Sequence, residues 1–184
     1  MAAADRAGVV TAVFHEDWFG EASQRALASL YDKVRSLDGE IIEVGCWEGR
    51  STVALANACH PERVWAIDTW KGSPGEISAE LAKERNVFAI FKANIAELTQ
   101  GNVTSWIGGW RGFFHGYQGR IKFVHIDAEH TYTEVFDNIA AARRHMVPGG
   151  IICGDDVHHP PVQQAVIDQF GNANVEATLW WTQC

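Results

Sequence analysis

Five short apolar runs alternate along the chain with segments of helical pattern. They fall at residues 41–44, 63–68, 102–107, 121–127 and 151–156. The central runs are continuously apolar rather than alternating. A strand with that pattern is buried on both faces, which is the condition inside a parallel sheet covered by helices. Crossover connections in such a sheet are right-handed, so the carboxyl ends of the strands line one edge, and ligands bind there. At those ends stand Glu43, Asp68, the pair Gly108-Gly109, Asp127 and the pair Asp155-Asp156. Packing alone does not favour acids and glycines at one edge of five successive strands, so the edge reads as a site.

The segments between the runs carry helix signals. Ala26, Leu27, Leu30, Tyr31, Val34 and Leu37 make one stripe at three- and four-residue spacing, predicting a helix over 20–37 that Asp38-Gly39 ends. Further helices are predicted over 51–59, over 76–99 with a break near Asn86, just after Gly109, over 131–146, and from Pro160 to about Phe170. Pro148-Gly149-Gly150 is expected to close the 131–146 helix. Residues 175–177 and 179–183 suit a terminal hairpin, and residues 1–19 read as irregular. Neither repeats nor a linker divide the chain, so its 184 residues are expected to form one domain. Within it, 1–38 is an N-terminal segment and helix, and 39–184 is the core.

Composition removes several function classes. The net charge of -8 argues against a nucleic-acid partner, which needs a basic face. No apolar run approaches the roughly 20 residues of a membrane span. The start, Met1-Ala2-Ala3-Ala4-Asp5-Arg6, lacks a signal peptide's apolar segment. Cys46, Cys59, Cys153 and Cys184 show no C-x-x-C spacing, so reduced thiols are expected. Together these point to the cytoplasm. The eight tryptophans default to packing, with a few free to line a pocket.

The stretch Glu43-Val44-Gly45-Cys46-Trp47-Glu48-Gly49-Arg50-Ser51-Thr52 joins a strand end, two glycines and a helix start. Glycines let the backbone approach a ligand, and the helix start offers unpaired N–H groups to an anion. A dinucleotide site would place glycines where Trp47 and Arg50 stand. A ligand presenting a carboxylate to the helix N-terminus fits better. Asp68, 19 residues after Gly49, suits a ribose diol; the bland alternative is a turn or helix cap. Asp127, Asp155 and Asp156 end neighbouring strands, where unscreened carboxylates repel, and oxygen donors suit Mg2+ or a similar hard cation. Caps that stay solvated are the alternative there. His130 is a candidate general base, or equally a helix-entry histidine bonded to backbone. His158 and His159 read as surface loop. The H-x-D of His125-Ile126-Asp127 also matches a facial-triad iron site, but the alternating helices argue against the all-β barrel that normally holds one.

The glycine stretch, Ala66-Ile67-Asp68, His125-Ile126-Asp127-Ala128-Glu129-His130-Thr131-Tyr132 and Pro148-Gly149-Gly150-Ile151-Ile152-Cys153-Gly154-Asp155-Asp156 together resemble a class I S-adenosylmethionine-dependent methyltransferase. More narrowly they resemble the branch of macrocin-type, metal-dependent sugar O-methyltransferases. The resemblance spans about residues 38–184 and implies a Rossmann-like α/β fold. Its mostly parallel seven-stranded sheet would have the order 3-2-1-4-5-7-6, with strand seven antiparallel.

By matching position, Gly45 and Gly49 lie under the methionine part of the cofactor, Glu43 near its amino group, and Ser51 near its carboxylate. Asp68 takes the ribose. Gly109 and Trp110 flank the adenine, though Trp110-Arg111 replaces a commoner acidic-serine pair. Cys46, Trp47, Thr69 and Asp127 complete the cofactor set. Asp127, Asp155 and Asp156 fall on the metal positions, and His130 where related catechol methyltransferases carry a basic residue. Trp47 departs from the wider class, in which a middle glycine is common, and implies a differently shaped turn.

The expectation is therefore cation-dependent O-methylation of a small hydroxylated substrate, such as a sugar, diol or catechol, with His130 or Asp127 at the chemistry. Trp18, Phe19 and the N-terminal helix are candidates to cover the substrate, though packing is their default. The short chain implies a small substrate or a homodimer that completes the pocket. Two rivals stand beside this reading: a non-catalytic S-adenosylmethionine-binding protein and a nicotinamide-dependent oxidoreductase.

Overall fold

The computed structural model describes residues 12–184. The first eleven residues of the expected N-terminal cover lie outside them. The strands are β1 (Glu40–Val44), β2 (Val64–Asp68), β3 (Val103–Ile107), β4 (Ile121–Ile126), β5 (Met146–Gly154), β6 (Asn174–Glu176) and β7 (Leu179–Gln183). They form one sheet in the order β3-β2-β1-β4-β5-β7-β6. The first five in that order pair in parallel, β7 runs antiparallel to β5, and β6 antiparallel to β7. This is the Rossmann-like order expected from the sequence.

The helices are α1 (Glu21–Asp32), α2 (Arg50–Cys59), α3 (Ile77–Glu84), α4 (Val87–Leu98), α5 (Trp110–Gly116), α6 (Tyr132–Arg143) and α7 (Pro160–Phe170). The pleat divides the core into two layers. Ile41, Phe123, Ile151 and Cys153 face Leu27, Leu30 and Tyr31 of α1 and Leu55 of α2. Ile42, Val44, Val124, Ile126 and Ile152 face Phe113 and Phe114 of α5, Ile139 of α6 and Val166 of α7. Each such side chain taken fully out of water contributes roughly 1.5–3 kcal/mol. With both faces covered, the remaining place for a ligand is the edge where the parallel strands end.

Three boundaries have local causes. The expected break near Asn86 is real: its Oδ1 accepts the Ala89 N–H at 3.1 Å, capping α4. The helix expected over 20–37 stops at Asp32. The buried Lys122 draws the carbonyls of Arg35 and Leu37 to its Nζ, at 3.2 and 3.0 Å, and turns the chain there. Pro148-Gly149-Gly150 does not merely close a helix but lies inside β5. The β4–β5 ladder shifts register between Ile121 and Phe123, and that irregularity accommodates a proline that cannot donate.

Among the described residues the four cysteines are free, three of them buried. No helix among those residues is long and apolar enough to cross a membrane.

Candidate active site

A cavity of about 740 Å³ opens at the carboxyl edge of β1, β2, β4 and β5. That size is typical of sites for small molecules. Of the expected residues, Gly45, Cys46, Trp47, Ser51, Asp68, Thr69, Gly109, Trp110, Asp127, His130, Asp155 and Asp156 all line it.

The loop after β1 is shaped by two glycines. Gly45 has φ +85°, and a Cβ there would lie 1.8 Å from the carbonyl oxygen of Asp127. The β1 and β4 loops therefore pack backbone against backbone. Gly49, at φ +91°, is the N-cap of α2 and packs on Phe91, just behind the lining. No side chain caps α2, whose first turn lines the cavity through Arg50 and Ser51. Its free N–H groups suit a carboxylate.

Asp68 has two duties. Its Oδ2 accepts the N–H groups of Cys46 and Trp47 at 2.7 and 2.8 Å, and its Oδ1 accepts that of Trp70 at 2.7 Å. Burial pushes its carboxyl above the ordinary value in spite of these donors. Oδ1 keeps a lone pair for a hydroxyl in the cavity, so acceptance from a diol falls mainly to one oxygen.

Glu43 sits elsewhere. It is fully buried, does not line the cavity, and lies on the other face of the sheet, with Oε1 3.1 Å from His125 Nδ1. The pleat explains this, because Glu43 shares the face of Ile41 rather than that of Val44. The resemblance puts Glu43 near the cofactor's amino group; in this structure its carboxylate faces His125 and is not part of the cavity wall.

At the β4 and β5 ends, donor atoms of Asp127, His130 and Asp156 lie within 4.8 Å of one another. His130 Nε2 is 2.7 Å from Asp156 Oδ2 and 3.9 Å from Asp127 Oδ1. Its Nδ1 is 3.0 Å from Glu76 Oε1. The carboxylates of Asp127 and Asp156 push the imidazole up to about 11 against the effect of burial. Burial pushes the Asp127 carboxyl up to about 6. Asp155 is buried, and its Oδ1 has no hydrogen-bond partner. A crowded acidic group with an orphaned buried oxygen fits a cation.

Other residues at the site carry no local sequence signal. Glu16 pairs with Arg85, accepts Trp47 Nε1–H at 3.0 Å, and offers its carbonyl to Arg50 Nη2 at 3.0 Å. Arg85 Nε lies 2.9 Å from Glu48 Oε1, and His15 donates its N–H to Glu48 Oε2 at 2.7 Å. Asn94 holds the N–H and carbonyl of Val13 at 2.8 and 2.7 Å. Residues 13–17 are thus strapped across the glycine loop, and Phe14, Glu16, Trp18 and Phe19 join the cavity wall. Partners so distant in sequence are invisible to motif reasoning.

Comparison with known proteins agrees with this geometry. No curated protein matches the sequence. The fold is similar to that of the O-methyltransferase NovP at a TM-score of 0.66 and 16% identity, covering 87% of this chain and 78% of that one. The calicheamicin methyltransferase CalS11 gives 0.64 at 16% identity, over 87% and 77%. A protein of Streptococcus mutans solved in complex with SAH gives 0.58 at 14% identity, over 88% and 94%. Residues 42–157 match the family described as "Methyltransferase domain". That span runs from β1 through the loop after β5 and contains both the glycine loop and the acidic group, so the chain belongs to the methyltransferase-domain family of class I S-adenosylmethionine-dependent enzymes.

Proposed function

We propose that the protein methylates a hydroxyl of a small substrate, using S-adenosylmethionine and a divalent cation, Mg2+ or a similar ion. The observation that carries this reading is one cavity holding both the uncapped glycine loop and the acidic group of Asp127, Asp155 and Asp156. NovP is named an O-methyltransferase and CalS11 a TDP-rhamnose 3'-O-methyltransferase, which supports oxygen as the acceptor atom.

S-adenosylmethionine, when bound, supplies an electrophilic methyl group. The N–H groups opening α2, with Ser51, hold its carboxylate; Asp68 Oδ1 accepts from a ribose hydroxyl; Gly109 and Trp110 flank the base. Trp110 is pre-set for this, because its Nε1–H is bonded to Glu134 at 3.1 Å and Arg111 stacks 4.2 Å from its ring centre. A cation among Asp127, Asp155 and Asp156 would lower the pKa of the acceptor hydroxyl. A carboxylate of that group takes the proton. His130 is less suited as the base, since its two ring nitrogens already face Glu76 on one side and Asp156 and Asp127 on the other. Phe14 and Trp18 exclude water and hold the acceptor in place, and much of the rate comes from that positioning. The whole chain acts as one domain, with residues 12–19 as part of the cover.

The test is calorimetry with SAH, followed by mass spectrometry of a panel of sugars, diols and catechols incubated with S-adenosylmethionine. SAH binding and methylated product that vanishes with EDTA or Asp155→Asn are expected. Absence of SAH binding rejects the reading. SAH binding without transfer to any member of the panel leaves a non-catalytic binding protein.

A further inference from the structure

The acidic group contains a nitrogen donor whose orientation is fixed from behind. We infer that His130 is itself a metal ligand, and that Asp127, His130 and Asp156 form a mixed nitrogen–oxygen site that selects a first-row transition ion over Mg2+. This rests on the proposed cation dependence and names the ion class and one of its ligands.

Geometry supplies the argument. One donor atom from each of the three residues already lies within 4.8 Å of the others. Glu76 Oε1 is 3.0 Å from His130 Nδ1 and also accepts the His130 backbone N–H at 3.2 Å. Ring and backbone are thereby tied to one carboxylate on the loop entering α3. An imidazole that donates Nδ1–H to a carboxylate presents its Nε2 lone pair outward, the arrangement found behind metal-bound histidines. Here Nε2 points toward Asp156 and Asp127, at 2.7 and 3.9 Å. It is buried and lacks the alignment of a hydrogen bond.

The second observation is independent of His130. Asp155 is only 8% exposed, lines the same cavity, and has an Oδ1 without a partner. A buried carboxylate oxygen left bare costs stability unless something charged reaches it. An ion at the three-residue site would lie in the cavity that Asp155 also lines.

Donor chemistry then picks the ion. Mg2+ prefers oxygen and retains its waters, whereas imidazole nitrogen favours transition ions. With Nε2 committed to metal, proton removal is left to a carboxylate.

The experiment uses the whole protein after chelator treatment. Calorimetry with Mn2+ and with Mg2+ gives relative affinities, and electron spin-echo modulation of the Mn2+-loaded protein reports any bound 14N. Mn2+ is expected to bind at least about tenfold more tightly than Mg2+. The spin-echo spectrum is expected to show one imidazole nitrogen. His130→Asn abolishes the nitrogen signal and most of the preference, and Glu76→Gln weakens Mn2+ by about 10- to 100-fold.

Equal affinities for the two ions, or Mn2+ bound without nitrogen coupling, overturn the inference. The wild-type spectrum decides this even if the His130 variant fails to fold. SAH titration of the same samples separates the two readings: SAH binding without nitrogen coupling removes only the ligand assignment, whereas absent SAH binding removes the methyltransferase reading.

Discussion

Asp68 accepts the backbone N–H of Trp47 at 2.8 Å, and through that bond the end of β2 holds the loop leaving β1. Trp47 needs holding, because it sits at φ +47°, a left-handed conformation that is costly for a bulky residue. Trp70 adds a second tie, donating Nε1–H to the Trp47 carbonyl at 2.9 Å. Asp68→Asn replaces an acceptor with an amide that faces N–H donors. It is expected to lower stability by about 1–3 kcal/mol and to weaken SAH by roughly tenfold or more. Chemical denaturation and calorimetry read the two effects. Unchanged stability would show that the loop keeps its shape without the carboxylate.

Gly45 is the tighter of the two loop glycines. A Cβ on Gly45 meets the Asp127 carbonyl, which is backbone and cannot swing away, whereas a Cβ on Gly49 meets the Phe91 ring at 3.0 Å, a side chain that can shift. Both positions also carry positive φ, for which alanine costs about 1–2 kcal/mol. Gly45→Ala is therefore expected to destabilise more than Gly49→Ala and to abolish SAH binding by displacing the β4 loop. Equal melting temperatures for the two variants would contradict this.

The same loop shows how far sequence reasoning reaches. Apolar runs with polar ends were enough to predict a parallel sheet and to bring Gly45, Asp68, Asp127 and Asp155 to one edge, because such a sheet leaves its strand ends no other place, whereas the strand order came only with the family resemblance. The face taken by Glu43 was legible only through the pleat: one residue before Val44, it points to the opposite side. The strap was not legible at all. Glu16 and Arg85 are 69 residues apart and meet only because α3 and α4 fold beside the glycine loop. Glu76 reaches His130 across 54 residues for the same reason.

Glu43 and His125 share a fully buried pair between β1 and β4, and neither Glu43 Oε2 nor His125 Nε2 has a partner. Removing one member strands the other in the core, which costs about 3–5 kcal/mol. Glu43→Ala is expected to lose that much stability while the folded fraction keeps its SAH affinity to within about threefold. Guanidinium unfolding and calorimetry measure both. A large loss of SAH affinity with normal stability would instead place Glu43 at the ligand.

Glu16 links the strap to pH. Burial raises its carboxyl, but hydrogen bonds from Arg85 and Trp47 outweigh that and hold it below the usual value of 4.5. A carboxyl whose pKa is lower folded than unfolded releases its proton more readily in the folded state. Its contribution is complete above the unfolded value and is lost as pH falls through the folded one. Glu134, held down by its hydrogen bonds from Arg111, acts in the same direction. The contribution of these two carboxylates is thus expected to be lost as pH falls below about 5, while the raised carboxyls of Asp68 and Asp127 act in the opposite direction. Arg85→Gln removes the main partner of Glu16, so it should lower stability at pH 7 yet flatten the acid slope. Melting temperatures from pH 7 to pH 3 test this: parallel curves for wild type and Arg85→Gln would mean that the strap's ion pair does not set the acid response.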